Sequence, residues 1–321
     1  MKVLVTGADG FVGRWLIRRL LNDGREVFGA ERPSAPHGSG PTVNGLTPEE
    51  RAAVHWLPLE LTDSESVRSC LNHPYDAVVH LAAVASTRDA ERDPGYAWTV
   101  NAAGSARIAH TLSEVRHAGR ADPVVLLVST SEVYGRGEGR PRRETDPAEP
   151  VSPYAASKLG AEVALLEEWR RTGLRVMIAR PFAHTGPGQD ARFVVPAFVQ
   201  RLKLARQIGA PVVKVGNLEP VREFLHVNDV VDAYARLLVK GQPGEIYNVA
   251  SGQGVSLEQL FGLLARLVGI TPIAEADSEL MRPTDIPHLV GDATKLRMAT
   301  GWAPRCCLEE TLKDVVDAQA D

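Results

Sequence analysis

Short apolar runs alternate with longer amphipathic stretches from the start of the chain to about residue 180. This alternation predicts repeated strand–helix units. One of the runs, residues 124–128, is apolar at every position, which is typical of a central strand in a parallel sheet covered by helices on both faces. We therefore predict a doubly wound α/β fold built on a parallel sheet. Strands are expected at Val3–Val5, Val27–Ala30, Val54–Leu57, Ala77–Leu81, Val124–Val128 and Val176–Ala179.

The pattern changes beyond residue 180, where glycine- and proline-containing turns separate helix-like stretches. We expect residues 1–180 to form the domain that contains the sheet, and residues 181–321 to form mainly a smaller C-terminal domain. Two apolar runs of that second part, Val212–Val215 and Ile246–Val249, are candidates to rejoin the sheet. Its main helices are predicted at Val194–Gln207 and Leu257–Val268.

The composition narrows the class of protein. The 321 residues are 44% hydrophobic and 24% charged, which suffices for a globular core. The net charge of -4 provides no basic field for nucleic acid, so none is expected as a partner. No apolar run approaches the roughly 20 residues of a membrane span, and the chain opens on a strand pattern without a signal peptide. No membrane association is expected.

The three cysteines are Cys70, Cys306 and Cys307, and no CxxC motif occurs. This arrangement suggests neither a disulfide framework nor a thiolate metal site. We therefore predict a cytoplasmic protein and no bound metal.

Three glycines with the spacing GxxGxxG follow the first strand and precede an amphipathic helix. Glycines at such a turn let the backbone approach a pyrophosphate, whose charge the N-terminus of the helix then holds. A tight turn that binds nothing is the alternative, but the position within a strand–helix–strand pattern favours a dinucleotide site. The sequence thus predicts NAD or NADP as cofactor, bound by Gly7, Gly10, Phe11, Val12 and Gly13.

The end of the second strand bears on the choice between the two cofactors. An acidic residue there bonds the ribose hydroxyls of NAD, whereas an arginine accepts the 2′-phosphate of NADP. The strand ends in Glu31 and Arg32, one of each kind. We predict that both contact the cofactor and that Glu31 favours NAD; a simple role as a solvated loop cation stays open for Arg32.

Tyr154 and Lys158 are four residues apart at the head of a predicted helix and therefore share one face. A phenol titrates near pH ~10, and a neighbouring ammonium is expected to lower that pKa, so that the phenol can exchange protons near neutrality. The strand before this helix, Val124–Val128, leads into Thr130 and Glu132 at the sheet edge where ligands bind. Thr130 can share the reacting oxygen with the phenol. Glu132 either takes a proton from carbon or holds its loop.

Five motifs together resemble the extended short-chain dehydrogenases/reductases over essentially the whole chain. They are Gly7–Gly13, His80–Ala83, the Asn101 segment, Ser129–Gly135 and Tyr154–Lys158. The resemblance implies a Rossmann domain, a C-terminal substrate domain, and a nucleoside-diphosphate sugar as substrate. It assigns Thr130, Tyr154 and Lys158 to the catalytic triad.

The same resemblance implies further contacts. Glu60 and Leu61 would lie near the adenine, and Leu81, Ala82 and Ala83 would line the dinucleotide, whose ribose Tyr154 and Lys158 also approach. Such enzymes often form homodimers, here through helices predicted at Ala103–Arg116 and Tyr154–Trp169.

The C-terminal third is similar to GDP-4-keto-6-deoxy-D-mannose reductases and to the related GDP-mannose 4,6-dehydratases, which favours a GDP-sugar. The matching segments are Arg180–Gln189, Phe193–Pro196, Val215–Glu219, Arg222–Phe224, Met281–Pro287 and Gly291–Leu296. By this similarity Val194, Arg222 and Arg282 contact the substrate, and guanidinium groups suit its phosphates. Two residues depart from the pattern: Ala183 replaces a substrate-contacting Asn, and Glu223 replaces Asp. A structural role is expected for His184.

The preferred activity is reduction of the C4 ketone of GDP-4-keto-6-deoxy-D-mannose with NAD(P)H. Tyr154 would protonate the new alkoxide, Lys158 would lower the tyrosine pKa and hold the nicotinamide ribose, and Thr130 would polarise the carbonyl. In the alternative dehydratase, Glu132 would remove the proton from C5. A 4-epimerase and a non-catalytic cofactor-binding regulator are further alternatives. The C-terminal motifs and the chain length resemble the reductases.

Overall fold

The computed structural model describes residues 1–33, 45–137, 139–281 and 285–319. Among these residues, seven strands form one parallel sheet in the order β11-β6-β5-β4-β1-β2-β3. The predicted doubly wound α/β fold is confirmed. The strands of this sheet are β1 (Lys2–Thr6), β2 (Glu26–Glu31), β3 (Val54–Pro58), β4 (Ala77–His80), β5 (Val124–Val128), β6 (Arg175–Pro181) and β11 (Ile246–Val249).

The helices follow the strands in chain order; some cover the two faces of the sheet and others pack in the C-terminal part. Their bounds are α1 (Phe11–Asn22), α2 (Pro48–Ala52), α3 (Ser64–Cys70), α4 (Thr87–Arg92), α5 (Pro94–Trp98), α6 (Gly104–His117), α7 (Pro153–Thr172), α8 (Val194–Ile208), α9 (Val227–Lys240), α10 (Leu257–Val268), α11 (Thr294–Thr300) and α12 (Leu308–Ala318). A π-helical turn, Thr99–Ala103, runs directly into α6, and a 3₁₀ turn, Ser131–Tyr134, follows β5. No helix in the described ranges is long and apolar enough to cross a lipid bilayer.

Two packed layers explain the uninterrupted apolar runs. One core cluster lies where α1 and α9 cover the sheet and includes Leu16 and Val230; the other lies on the opposite face under α6 and α7 and includes Ile108 and Leu165. All four residues of β4 are buried. A strand enclosed on both faces has no solvent side, which is why its sequence does not alternate.

The strand order reverses between β1 and β4, whose carboxyl ends therefore diverge into different loops. In open α/β sheets this switch point forms the crevice in which ligands bind. The glycine turn follows β1, Leu81 follows β4, and Thr130 follows β5, so the sheet brings three separate motifs to one edge.

The C-terminal part carries short strands beside its helices. These are β7 (His184–Thr185), β8 (Val212–Val215), β9 (Val221–Arg222), β10 (Leu225–His226), β12 (Val255–Ser256), β13 (Ile273–Ala276) and β14 (His288–Leu289). Ile246–Val249 joins the large sheet beside β6, as one candidate run was expected to do. The other candidate was wrong: Val212–Val215 pairs with β13 in a separate sheet, where Val213 and Val215 pack on a third core under α8 and α10.

Candidate functional site

The glycine turn packs so closely that it excludes side chains. Gly7 has φ +66°, and a Cβ at this position would lie 2.9 Å from the Ala82 nitrogen. A Cβ on Gly13 would lie 2.2 Å from the Gly7 carbonyl oxygen. Gly10 supplies no side chain to cap α1, so the first amide groups of the helix, at Phe11, Val12 and Gly13, remain available to an anion. The predicted cofactor-binding turn therefore has the geometry of a pyrophosphate cradle.

Thr6 joins the ends of β1 and β4 beneath this cradle. Its hydroxyl is 2.7 Å from the Nδ1 atom of His80 and accepts hydrogen bonds from the backbone amides of Leu81 and Ala82. Burial lowers the pKa of His80 to about 3, with the charge of Lys158 as a smaller cause. The imidazole is therefore neutral and structural. Thr6, to which the sequence analysis assigned no role, thus fixes the Leu81–Ala82 backbone beside the glycine turn.

The predicted adenine-side residues lie at the ends of β2 and β3. Glu31 is partly buried, with a carboxylate oxygen 3.6 Å from the Arg51 guanidinium, and Arg32 is exposed. The Glu60 carboxylate accepts hydrogen bonds from the amide and hydroxyl of Thr62, while Leu61 is buried. The Glu60 side chain thus stabilises its own turn, and Glu31 and Arg32 lie at the carboxyl end of β2.

Thr130 and Tyr154 come together from different elements. Thr130 lies two residues after β5 and caps the following 3₁₀ turn by accepting a hydrogen bond from the Glu132 amide. Ser152 caps α7 and Pro153 occupies its first turn, so the helix begins where Tyr154 can face the sheet edge. The Thr130 hydroxyl lies close enough to the Tyr154 phenol to lower its pKa. The predicted pair is therefore in contact.

The pKa of Tyr154 is shifted in the opposite direction to the prediction. Burial and the neighbouring Glu132 carboxylate raise the pKa of Tyr154 above its ordinary value, and the Thr130 hydroxyl opposes that rise only in part. The predicted lowering by Lys158 was wrong for this structure. The Lys158 ammonium is instead turned beneath the sheet edge, where it donates to the Val128 carbonyl oxygen at 2.6 Å. The phenol is consequently held protonated.

Asn101 is a site residue that sequence reasoning quoted only as part of a motif. It lies in the π-helical turn, a distortion that often marks functional positions. Its side chain donates to Ser157 at 2.9 Å and accepts from the Val84 amide at 2.8 Å. The sequence feature that could have identified this residue is a polar asparagine among small apolar residues just before a helix. The Asn101 side chain thus connects α7 to the loop after β4, close to Tyr154.

The predicted substrate residues lie on the C-terminal elements. Val194 is the first residue of α8 and is partly buried. Arg222, on β9, donates to Asp285 at 3.0 Å and to the carbonyl oxygen of Val221. Arg282 lies outside the described residues. Ala183, the departure from the family pattern, packs against the third core cluster and so contributes no polar atom from its side chain.

His184 and Glu223 have structural contacts. The His184 ring stacks on Phe11 with a centroid distance of 6.4 Å, and burial lowers its pKa. Glu223 is fully buried, and its carboxylate accepts bonds from Ser251, Gly252 and the Gly291 amide. It therefore fastens the loop after β11 to the strand that carries Arg222.

The family described as GDP-mannose 4,6 dehydratase matches residues 4–315. A GDP-6-deoxy-D-mannose reductase from Pseudomonas aeruginosa is 31% identical over 98% of this chain and 96% of its own.

Two solved structures are similar over 99% of this chain and 98% of theirs. One is RMD from Pseudomonas aeruginosa complexed with NADPH, with 30% identity and a TM-score of 0.80. The other is a Thermus thermophilus UDP-glucose 4-epimerase in complex with NAD, with 30% identity and a TM-score of 0.83. The match to the family covers both the glycine turn and the C-terminal elements. The chain therefore belongs to the GDP-mannose 4,6-dehydratase family of extended short-chain dehydrogenases/reductases.

Proposed function

We propose that this protein reduces the C4 ketone of a nucleoside-diphosphate-linked 4-keto-6-deoxy sugar, with the GDP-linked mannose derivative as the preferred substrate. The observation that carries the proposal is the Thr130–Tyr154 pair, whose phenol is held protonated at the ligand-binding edge of the sheet. A neutral phenol is a proton donor, which reduction of a ketone requires. The full-length similarity to a GDP-6-deoxy-D-mannose reductase supports the same direction.

The glycine cradle fits the pyrophosphate of NAD(P), because it offers backbone amides where any Cβ at Gly7 or Gly13 would collide. Glu31 and Arg32, at the end of β2, are proposed to contact the adenine ribose, and Leu81–Ala83, beside the glycine turn, to line the dinucleotide. When bound, the nicotinamide supplies the hydride. One relative is complexed with NADPH and the other with NAD, and the Glu31–Arg32 pair suits both cofactors.

The remaining chemistry belongs to the side chains. Tyr154 gives its proton to the oxygen at C4, and Thr130 hydrogen-bonds the same oxygen and orients the phenol. Lys158 is one helical turn from Tyr154 on α7, and we propose that its ammonium holds the nicotinamide ribose. Arg222 is proposed to hold a phosphate of the substrate, with its Asp285 partner fixing the guanidinium until substrate enters.

A 4,6-dehydratase is the second candidate, because the Glu132 charge acts on the Tyr154 phenol and a carboxylate near that phenol is a candidate base for C5. That reaction returns the hydride to the sugar and consumes no cofactor overall. Net oxidation of NADPH therefore separates the two activities.

The decisive experiment compares two substrates with the purified protein. GDP-4-keto-6-deoxy-D-mannose with NADPH or NADH should cause loss of absorbance at the reduced-cofactor band, whereas GDP-mannose should not react. Formation of the keto sugar from GDP-mannose without net cofactor use would establish the dehydratase instead. Consumption of a UDP-sugar without cofactor oxidation would point to an epimerase.

The Tyr154→Phe variant tests the assigned proton donor. Removal of a general acid costs roughly 10²–10⁴-fold in rate. We expect that loss in kcat with cofactor affinity within a factor of three, since the hydroxyl alone is removed. The matched control is Tyr96→Phe, on the exposed surface of α5, which should leave kcat unchanged. Full turnover by Tyr154→Phe would refute the assignment.

We also propose a homodimer. A groove of about 620 Å³ on the outer surface of α6 and α7 is lined almost entirely by apolar atoms, including those of Trp98, Ala106 and Val163. Trp98 is 46% and Val163 61% exposed, which is unusual for large apolar side chains on one contiguous surface. A second copy related by a two-fold axis would cover the same residues on both sides.

Light scattering of the Val163→Glu variant tests this interface. A charge at the centre of an apolar contact should convert the dimer to a monomer, whereas the control Val239→Glu, at an exposed site on α9, should not. A wild-type monomer at micromolar concentration would contradict the proposal.

We propose a cytoplasmic location as well. Cys70, Cys306 and Cys307 are free thiols in this structure, including the adjacent pair, which suits a reducing compartment.

A further inference from the structure

A buried ion pair lies directly behind the site. Arg180, on β6, donates from Nε and Nη2 to the two carboxylate oxygens of Glu162, at 3.0 and 2.6 Å. The Ser129 hydroxyl donates to the same carboxylate at 2.5 Å. Glu162 is 1% exposed and Arg180 is 4% exposed. None of these three residues has a place in the reaction proposed above.

The Glu162–Arg180 ion pair is connected to the proposed catalytic residues along α7 and through the hydrogen bond from Ser129. Glu162 follows Lys158 by one turn of α7, so the two side chains lie on the same face of the helix. Ser129 lies between Val128 and Thr130 in the chain. The Val128 carbonyl accepts a hydrogen bond from the Lys158 ammonium. The Glu162 carboxylate therefore holds the end of the strand at Ser129, between Val128 and Thr130.

Stability alone is a poor reason for this arrangement. A buried ion pair has a large desolvation cost, and apolar side chains of similar volume often replace it without loss. Moreover, Nη1 of Arg180 is buried without a hydrogen-bond partner among the described residues, so the guanidinium is not fully satisfied. Its carbon atom stands 4.8 Å from the centre of the Tyr134 ring, which compensates in part. The charge of Glu162 calls for another explanation.

We propose that Glu162 is a positioning residue for the catalytic site, which keeps Lys158 in its ammonium form and fixes the Val128–Thr130 strand end through Ser129 and Arg180. This inference deepens the proposed function, since it concerns the same lysine. It depends on NAD(P) binding but not on the identity of the sugar.

The surrounding charges support this role. The titratable and charged groups around Lys158 and Tyr154 come from five elements: His80 from β4, Glu132 from the 3₁₀ turn, Glu162 from α7, Arg180 from β6 and Tyr234 from α9. His80 is neutral, and the Glu132 charge acts on Tyr154. Burial lowers the pKa of Lys158 to about 8, and the Glu162 carboxylate opposes that fall. Without Glu162 the lysine would lose its charge nearer neutrality.

The test is the pH dependence of NADPH or NADH binding, followed by fluorescence of the reduced cofactor between pH 6.5 and 10. In the wild type, affinity should fall roughly tenfold as Lys158 loses its proton near pH 8, because a charge-assisted hydrogen bond to the ribose becomes a neutral one. Glu162→Gln should move the midpoint of this fall down by roughly one pH unit. Affinity at pH 6.5 should change little, since the lysine is then charged in both proteins.

Glu168→Gln is the matched control. Glu168 lies on the same helix, is 4% exposed, and pairs with Arg171 at the far end of α7. It should lower the melting temperature without moving the binding midpoint. Should Glu162→Gln fail to fold, the double variant Glu162→Gln with Arg180→Met avoids an unpaired buried guanidinium and should show the same lowered midpoint.

A midpoint unchanged in both Glu162 variants would overturn the inference and leave the ion pair a purely structural feature. Failure of the wild type to reduce the keto sugar would contradict the proposed substrate, yet the binding midpoint would still report on Glu162. The two proposals can therefore fail separately.

Discussion

Substitution of Gly13 by alanine tests how the glycine turn is built. Gly13 lies in the first turn of α1, where an alanine would ordinarily stabilise a helix by about 1 kcal/mol relative to glycine. The added Cβ would, however, lie 2.2 Å from the Gly7 carbonyl oxygen and 2.8 Å from that of Ala8. Both neighbours are backbone atoms and cannot rotate away.

The magnitude follows from this geometry. Carbon and carbonyl oxygen normally stay about 3.3 Å apart, so the start of α1 must move by roughly 1 Å. Overpacking costs about 1–3 kcal/mol, and because only backbone atoms can move here we take about 3 kcal/mol, which exceeds the gain in helix propensity by about 2 kcal/mol. With about 2.1 cal/mol/K of unfolding entropy per residue, a net loss of about 2 kcal/mol lowers the melting temperature by roughly 3 °C. The displaced amides should weaken NADPH binding by at least about tenfold.

Differential scanning calorimetry with and without NADPH measures both effects. Gly262→Ala is the control, because Gly262 lies inside α10 and a Cβ there would meet nothing within 4 Å. It should raise the melting temperature by about 1 °C and leave cofactor binding unchanged. A Gly13→Ala protein that melts at or above the wild-type temperature and binds NADPH normally would refute the description of the turn.

Three further measurements probe other parts of the site. Burial raises the pKa of Glu223 from 4.5 to about 6, so the native state holds a proton that the unfolded chain releases between these pH values. Its contribution to stability therefore falls by about 2 kcal/mol as the pH rises through that window. The melting temperature of the wild type, measured relative to that of Glu223→Gln, should fall by roughly 3 °C over the same window. A difference between the two proteins that does not change with pH would contradict the burial argument. Asn101→Ala removes the bonds to Val84 and Ser157 and should cost about 2–3 kcal/mol in chemical denaturation, and an unchanged midpoint would show that water replaces them. Arg32→Ala should weaken NADPH at least fivefold in titration while NADH is unaffected, unless Arg32 is only a loop cation, in which case neither affinity changes.

The strands and the cofactor turn were predictable because they depend on local pattern. A run such as Val124–Val128 is apolar throughout only if both faces are covered, and three glycines after a strand allow a close backbone approach that other residues forbid. Tyr154 and Lys158 were placed together by the periodicity of the helix. These features lie within one or two elements of the chain.

Contacts between distant elements were decided only in the tertiary structure. Val212–Val215 and Ile246–Val249 look alike as apolar runs, yet only the second finds an open edge of the large sheet, beside β6. Likewise the sequence places Lys158 next to Tyr154, but packing turns its ammonium to Val128 and puts Glu162 behind it.

The sequence by itself thus determined the fold class and the glycine turn of this protein, and it pointed to the side chains proposed to react. The protonation states of those side chains were decided by the tertiary structure. The pKa of a phenol or an ammonium depends on burial and on charges brought close from other strands and helices, which no spacing along the chain reveals.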